Sequence, residues 1–153
     1  MAEALRIAVA GLGTVGAGVV KLINARAAEM TARTGRMVTI TTVSARDRNR
    51  DRGIDVSGYA WVDDARDIAD RDDVDVVVEL IGGSEGVAKD LVEASLRAGK
   101  SVVTANKALI AIHGNELAKL AEENGVALAY EAAVAGGIPI IKALREGLAG
   151  NAV

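Results

Sequence analysis

Six residues near the start of the chain follow the spacing GxGxxG: Gly11, Leu12, Gly13, Thr14, Val15 and Gly16. An apolar run, residues 5–10, precedes them and a stretch with helical character follows, which is the strand–turn–helix context that this pattern requires. There the first glycine allows a sharp turn, the second lets a pyrophosphate approach the backbone, and the third lets the helix pack closely on the strand. The free N–H groups of the first helical turn would face the phosphates. The pattern therefore predicts a dinucleotide site, although a plain strand-to-helix turn is the alternative.

The end of the second apolar run carries a signal for cofactor selectivity. Ser44 ends that run, and Arg46 follows two residues later. A site selective for NAD usually has an aspartate or glutamate here to bind the ribose 2′-hydroxyl, whereas an arginine can bind a 2′-phosphate. The residues therefore favour NADP over NAD, with the neighbouring Asp47 as the contrary sign. Most of the arginine-rich segment 46–52 is interpreted as a solvated loop.

Glycine and polar residues also follow later apolar runs. Gly82 and Gly83 follow Ile81 after the apolar run of residues 74–80, where they would let a cofactor lie close to the sheet or would form a loop that needs positive φ. The next run ends in a polar group that is positioned to meet a ligand. Its residues are Thr104, Ala105, Asn106 and Lys107.

Two charged residues are the candidates for the nicotinamide side of the site. Lys107 and Glu131 both follow predicted strands, so both would lie beside a nicotinamide. Each also has a structural alternative. Lys107 could be an ordinary solvated lysine, and Glu131 could cap a helix or pair with Lys142. His113, the one histidine, is placed at a predicted helix start and is only a minor candidate for catalysis.

Strand and helix patterns alternate along the whole chain, which predicts an α/β fold with a doubly wound parallel sheet of Rossmann type. In the first helix, we expect Val15, Val19, Leu22 and Ile23 to face the sheet. A short helix should begin at Asp63 or Asp64. The predicted strands are residues 5–10, 37–44, 59–62, 74–80, 101–104 and 126–130, and the longer helices are residues 15–32, 86–98, 115–124 and 139–147.

In such sheets ligands bind beyond the carboxyl ends of the strands. The glycine turn, the Ser44–Arg46 segment, the second glycine pair, the Asn106–Lys107 pair and Glu131 all follow predicted strands. We therefore expect five loops to meet along one edge and to form one site.

Composition limits the function classes. The 153 residues suit one domain, residues 1–153, and a net charge of −3 predicts neither a nucleic-acid nor an anionic-membrane partner. The chain has no cysteine, which excludes a thiolate nucleophile or a cysteine-ligated metal within it. The longest charge-free run, residues 7–20, is shorter than the roughly 20 residues that span a bilayer. A cytoplasmic location is expected.

Two long segments resemble homoserine dehydrogenases. The first is VVTANKALI, residues 102–110, with His113 and Gly114 after it. The second is YEAAVAGGIPII, residues 130–141, which continues through LREGL, residues 144–148. The resemblance begins at the first strand and covers nearly the whole chain, and these segments are far more specific than the glycine pattern.

The resemblance implies an activity and its ligands. Members of that family interconvert L-homoserine and L-aspartate 4-semialdehyde with NADP or NAD, in the biosynthesis of threonine, methionine and isoleucine. It implies that Lys107 lies near the nicotinamide and the substrate, and that Arg46 lies beside the adenosine ribose. It also implies a monovalent cation, usually sodium. The matching positions are the Glu131 carboxylate and the backbone carbonyls of Val134, Gly136 and Ile138.

The resemblance also implies a division of labour. In the family, the dinucleotide domain is followed by a substrate and dimerisation domain, which carries the main proton-transfer residues, and often by a regulatory domain. We therefore expect residues 1–153 to bind cofactor without turning over homoserine, as part of a homodimeric or homotetrameric enzyme. The cofactor domain of another semialdehyde-handling dehydrogenase and a non-catalytic NAD(H)-sensing module are the alternatives.

Overall fold

The computed structural model describes residues 3–150, which form a six-stranded sheet in the order β3-β2-β1-β4-β5-β6. Every neighbouring pair of strands is parallel. The doubly wound parallel sheet is therefore confirmed. The strands are β1 Leu5–Ala10, β2 Val38–Ser44, β3 Ala60–Val62, β4 Val76–Glu79, β5 Ser101–Thr104 and β6 Leu128–Ala129.

Parallel pairing requires a crossover between strands, and helices supply it everywhere except between β2 and β3, where residues 45–59 form an irregular connection. A short 3-10 helix, Ala65–Asp70, precedes β4, and a π-helical turn, Ala143–Gly147, follows the last α-helix. None of the helices between residues 3 and 150 has the length and apolar character needed to cross a bilayer. The α-helices are α1 Thr14–Thr34, α2 Val87–Arg97, α3 Lys107–Glu123, α4 Glu131–Val134 and α5 Ile140–Lys142.

The two faces of β1 pack into two separate hydrophobic clusters because successive side chains of a strand point to opposite faces. Ile7 and Val9 belong to the cluster under α1. Ala8 and Ala10 belong to the cluster that the 3-10 helix, α2 and α3 cover. This central strand is thus buried on both faces, and the glycine turn that follows it starts from a rigid support.

The buried face of α1 differs from the prediction. Val15 is 60% exposed and Leu22 is 50% exposed, whereas Gly16, Val20 and Ile23 are buried. Gly16 packs closely against the glycine turn, and this contact fixes the rotation of α1 about its axis. Gly16, Val20 and Ile23, which share one face of the helix, therefore lie against the sheet. The prediction is confirmed for Ile23 and in part for Val19, which packs against the same hydrophobic cluster, but it was wrong for Val15 and Leu22.

Helix α3 begins eight residues before its predicted start. Its first residue is Lys107 and its N-cap is Asn106, whose side chain accepts a hydrogen bond from Leu109 N at 3.1 Å. His113 therefore lies inside a helix and not at a helix start. Gly114 masked this continuity in the sequence, although a glycine inside a helix costs only about 1 kcal/mol.

The remaining bounds lie close to the predictions. The strands β1 and β5 match them, and the carboxyl end of β2 is also as predicted. Strands β4 and β6 are shorter than expected, and the predicted helix after Pro139 divides into α5 and the π-helical turn. Asp64, one of the two predicted caps, accepts a hydrogen bond from Arg66 N and begins the 3-10 helix.

Candidate functional site

The carboxyl ends of all six strands lie along one edge of the sheet, because every pairing is parallel. The five predicted loops therefore lie along one edge, with the end of β3 as a sixth contribution, whereas their forming one site stays a prediction. The glycine turn, Lys107 and Glu131 all follow strands at this edge.

The glycine turn fits tightly between neighbouring strands. Gly11 has φ +97, and its N–H donates to the Ser44 carbonyl oxygen at 2.8 Å. A Cβ on Gly11 would lie 2.5 Å from the Leu80 carbonyl oxygen, and one on Gly16 would lie 1.9 Å from the Gly11 carbonyl oxygen. Only glycine fits at these two positions.

Gly13 has a different environment, which matches the role predicted for the second glycine. A Cβ there would meet nothing within 4 Å, so the space above its backbone is open. Gly13 is also the N-cap of α1, and no side chain caps this helix end. The first intrahelical bond runs from Ala17 N to Gly13 O. The N–H groups of Thr14, Val15 and Gly16 precede it and have no backbone partner among residues 3–150, so they can bind an anion.

A cleft of about 710 Å³ opens beside this turn. Ser44 is buried at the end of β2, and Arg46 is exposed on the cleft wall. The wall therefore carries arginine side chains close to the glycine turn. The lining residues are Gly11, Leu12, Gly13, Ser44, Ala45, Arg46, Asp47, Arg50, Arg52, Asp63, Asp64, Ala65, Leu80, Ile81 and Val87.

One arginine of the predicted solvated loop is a structural anchor. Arg52 donates from Nε to the Leu12 carbonyl oxygen at 3.1 Å and from Nη2 to the Asp47 carbonyl oxygen. The guanidinium groups of Arg48 and Arg52 each lie 5.8 Å from the Trp61 ring centroid. These contacts join the loop to the glycine turn and to β3, whereas residues 46–51 are exposed, as predicted for most of the segment.

The second glycine pair forms a turn with positive φ. Gly82 has φ +86 and Gly83 has φ +85, and both are exposed at the edge of the sheet. The Asn106 side chain donates from Nδ2 to the Gly83 carbonyl oxygen at 2.6 Å. The loops after β4 and β5 are therefore held together.

The polar group after β5 divides into buried and exposed members. Thr104 is 1% exposed and Asn106 is 6% exposed, so both are part of the support beneath the surface. Ala105 is half-buried, and Lys107 is exposed as the first residue of α3. Of these four, Lys107 is the one whose charged side chain faces solvent at the edge of the sheet.

Glu131 acts as a cap in this structure. Its Oε1 accepts from Ile141 N at 3.0 Å and its Oε2 accepts from Lys142 N at 3.2 Å. The Lys142 ammonium lies 3.8 Å from a different carboxylate oxygen, Glu146 Oε2. Of the two predicted alternatives for Glu131, the structure therefore shows capping of backbone N–H groups. Val134, Gly136 and Ile138, the other proposed cation ligands, follow in the same exposed segment.

His113 has a partner that the sequence did not reveal. Its Nε2 lies 2.7 Å from Glu85 Oε1, which joins α3 to the loop before α2. This hydrogen bond lowers the pKa of Glu85 below its usual value. Glu85 and His113 are 28 positions apart, so only the fold could show this contact.

Sequence reasoning also missed Glu79, which is fully buried at the end of β4. The one available signal was a carboxylate within an otherwise apolar run, VVVEL, directly before the glycine pair. A charged residue at that place is costly to bury, which indicates a buried set of hydrogen-bond donors around it.

Comparison with known proteins places these features in a family. The model of the homoserine dehydrogenase NAD-binding domain matches residues 11–131. The homoserine dehydrogenase of Pseudomonas aeruginosa is 46% identical over 149 residues, and that of Neisseria gonorrhoeae is 48% identical over 149 residues. Each alignment covers 97% of this chain and 34% of the relative, so the chain spans about a third of the length of these curated relatives.

A solved structure shows the same likeness in three dimensions. The homoserine dehydrogenase of Thiobacillus denitrificans superimposes with a TM-score of 0.88 and is 43% identical. The match covers 99% of this chain and 34% of that one.

Proposed function

The chain belongs to the homoserine dehydrogenase family, and from that premise we propose that residues 1–153 bind NADP for hydride transfer between L-homoserine and L-aspartate 4-semialdehyde. The observation that carries the proposal is the open backbone at Gly13 before an uncapped helix at the carboxyl edge of the sheet. The site fits a dinucleotide because its free N–H groups and open space lie where a pyrophosphate would bind.

The chemistry is divided between cofactor and protein. A bound nicotinamide supplies the hydride acceptor or donor. The glycine turn would hold the pyrophosphate, while Gly82 and Gly83 would line the cofactor on the far side of β4. Thr104, Ala105 and Asn106 would support the nicotinamide side from β5 and the start of α3.

Lys107 is proposed to act at the reacting end of the cofactor. An ammonium at the first position of a helix is electrostatically unfavourable, because the helix dipole is positive there. The exposed Lys107 is thus poorly explained by the stability of α3. It could instead contact the substrate oxygen, whose proton must move when the alcohol is oxidised.

The preference for NADP is proposed from Arg46. It is exposed on the wall of the cleft, close in sequence to the buried end of β2, and a guanidinium can bind a phosphate through two hydrogen bonds. Calorimetric titration of the 153-residue chain with NADPH and NADH tests this preference. We expect NADPH to bind more tightly, and Arg46→Ala to weaken NADPH about 10- to 100-fold with little effect on NADH.

Arg97→Ala is the matched control, because this arginine lies at the end of α2 and outside the cleft. Equal affinities of the unaltered chain for both cofactors would contradict the Arg46 assignment. A chain that bound neither cofactor would contradict the proposed function itself.

Turnover of homoserine is proposed to need more than these residues. The chain spans about a third of the length of its relatives, and the proposal assigns the main proton-transfer groups to the part of those enzymes beyond the matched third. An absorbance assay for homoserine-dependent NADPH formation should therefore show no turnover by the 153-residue chain. The homodimeric or homotetrameric assembly and the cytoplasmic location belong to the same proposal for the complete enzyme.

A monovalent cation at Glu131 is the last part of the proposal. Carboxylate and carbonyl oxygens are suitable ligands for a hard cation, and each Glu131 oxygen retains a free lone pair beside its backbone hydrogen bond. Sodium chloride should raise the unfolding temperature more than choline chloride at equal ionic strength, and Glu131→Gln should abolish the difference. The same response in both chains would exclude the cation from this site.

A further inference from the structure

Glu79 is a fully buried carboxylate at the carboxyl end of the central strand β4. Its Oε1 accepts hydrogen bonds from Ile81 N at 2.7 Å and from Gly82 N at 3.1 Å. Its Oε2 accepts from the Thr104 hydroxyl at 2.6 Å. Within residues 3–150 it has no ion pair with a lysine or arginine.

A carboxylate in this position needs a reason, because burying a charge is costly unless hydrogen bonds replace its water. Here three donors replace it, and two of them are backbone N–H groups of the loop that contains the glycine pair. Such N–H groups would otherwise need water or another acceptor. The side chain therefore fixes the shape of a loop that no regular secondary structure holds.

The network continues across the edge of the sheet. Thr104 Oγ1 accepts from Asn106 N at 3.0 Å, and Asn106 Nδ2 donates to the Gly83 carbonyl oxygen at 2.6 Å. Side chains thus join the strand ends at Glu79 and Thr104, and the loops that follow them at Gly83 and Asn106. On the other side, Leu80 lies directly against Gly11.

We propose that Glu79 is a positioning residue that holds residues 81–83 in the conformation that receives the nicotinamide half of the cofactor, before the cofactor binds. This inference rests on the proposed function. The adenosine half would bind at the cleft beside β2 and β3, whose lining includes Ile81 at the start of this loop but neither the glycine pair, Glu79 nor Thr104. Loss of the network should therefore weaken the binding of the nicotinamide half more than that of the adenosine half.

The experiment compares two ligands by calorimetry on the 153-residue chain. NADPH spans both halves of the site, whereas adenosine 2′,5′-bisphosphate occupies only the adenosine half. We expect Glu79→Gln, which keeps the shape but removes the charge, to weaken NADPH about tenfold and to change the half-ligand less than twofold. Thr104→Val should act in the same direction, and Thr104→Ser, which keeps the hydroxyl, should bind as the unaltered chain does.

Ser95→Ala is the matched control for removal of a buried hydroxyl. Ser95 is fully buried in α2, and its Oγ has no hydrogen-bond partner within the described residues. Both affinities should stay within twofold of the unaltered chain. This control separates the network from any general effect of changing a buried polar side chain.

Amide hydrogen exchange gives a readout that does not need a ligand. Ile81 and Gly82 N–H should exchange about tenfold faster in Glu79→Gln than in the unaltered chain, while amides of β1 stay protected. NADPH affinity unchanged in Glu79→Gln, or equal weakening of NADPH and the half-ligand, would overturn this inference alone. Failure of the unaltered chain to bind NADPH would overturn the proposed function and this inference with it.

Discussion

Gly13 and Gly16 differ in what a methyl group would meet. A Cβ at Gly16 would lie 1.9 Å from the Gly11 carbonyl oxygen, whereas one at Gly13 would meet nothing within 4 Å. Gly16→Ala should therefore reduce the free energy of unfolding by about 1–3 kcal/mol or more, because backbone must move to relieve the overlap. Gly13→Ala should change it by less than about 1 kcal/mol.

The two variants should also differ in how they bind NADPH. Gly13→Ala should fold normally yet bind NADPH at least about tenfold more weakly, since its methyl group would occupy the space proposed for the pyrophosphate. Urea unfolding and calorimetric titration measure both effects. A destabilised Gly13→Ala, or one that binds NADPH normally, would contradict the role given to this residue.

At the scale of residues, the roles that depend on spacing along the chain could be predicted from the sequence. The roles that depend on contacts between distant residues could not. Gly11 and Gly16 were assigned their roles from the pattern GxGxxG, and both roles agree with the close approaches in the structure. The Glu79–Thr104 and Glu85–His113 hydrogen bonds were missed, because the two residues of each pair lie 25 and 28 positions apart in the chain. The capping by Glu131 was left as one of two alternatives for the same reason.

At the scale of elements, the two central strands are also joined at their amino ends, away from the proposed site. Asp75 accepts hydrogen bonds from Arg6 N at 2.8 Å, Nε at 3.1 Å and Nη2 at 2.6 Å. The Arg6 guanidinium lowers the pKa of Asp75 below its usual 3.8. The pair therefore stabilises the fold in a pH-dependent way.

The sign of this dependence follows from the lowered pKa. The contribution is fully present above the unfolded-state pKa near 3.8 and is lost as the pH falls through the folded-state pKa. Asp75→Asn should thus lower the free energy of unfolding by roughly 1 kcal/mol at pH 7, and the difference should shrink below pH ~4. Urea unfolding between pH 7 and pH 3 measures it, with the exposed neighbour Asp72→Asn as the control.

NADPH binding should not change in Asp75→Asn, since this pair lies at the edge of the sheet opposite the glycine turn. A difference between the two chains that stayed constant from pH 7 to pH 3 would show that charge is not the cause.

The order of the elements could be predicted because each strand of a parallel sheet must be followed by a crossover. What periodicity could not give was the rotation of α1 or the start of α3. Gly16 and Ala17 contribute little to an apolar pattern, yet they form the close contact that orients α1. Asn106 and Lys107 looked like a loop because the helix cap that they form is polar.

At the scale of the molecule, the two faces of the sheet are covered unequally. On the side of α2 and α3, Val102 is fully buried and Leu128 is 7% exposed. On the side of α1, Val78 is buried, but Val103 beside it is 40% exposed, and Ala129 beyond that is also exposed. On the α1 side of the sheet, the described residues 3–150 therefore cover β4 but leave β5 and β6 exposed to solvent.

The same substitution at two adjacent positions tests this asymmetry. Val102→Thr places a hydroxyl in a fully buried apolar cluster, which should cost about 1–3 kcal/mol of unfolding free energy because the hydroxyl lacks a partner. Val103→Thr places it where water can reach, and should change stability by less than about 0.5 kcal/mol. Both keep a β-branched side chain of nearly the same shape, so strand propensity is matched. Urea unfolding of the two variants decides the matter, since equal losses would mean that both faces of β5 are covered in solution.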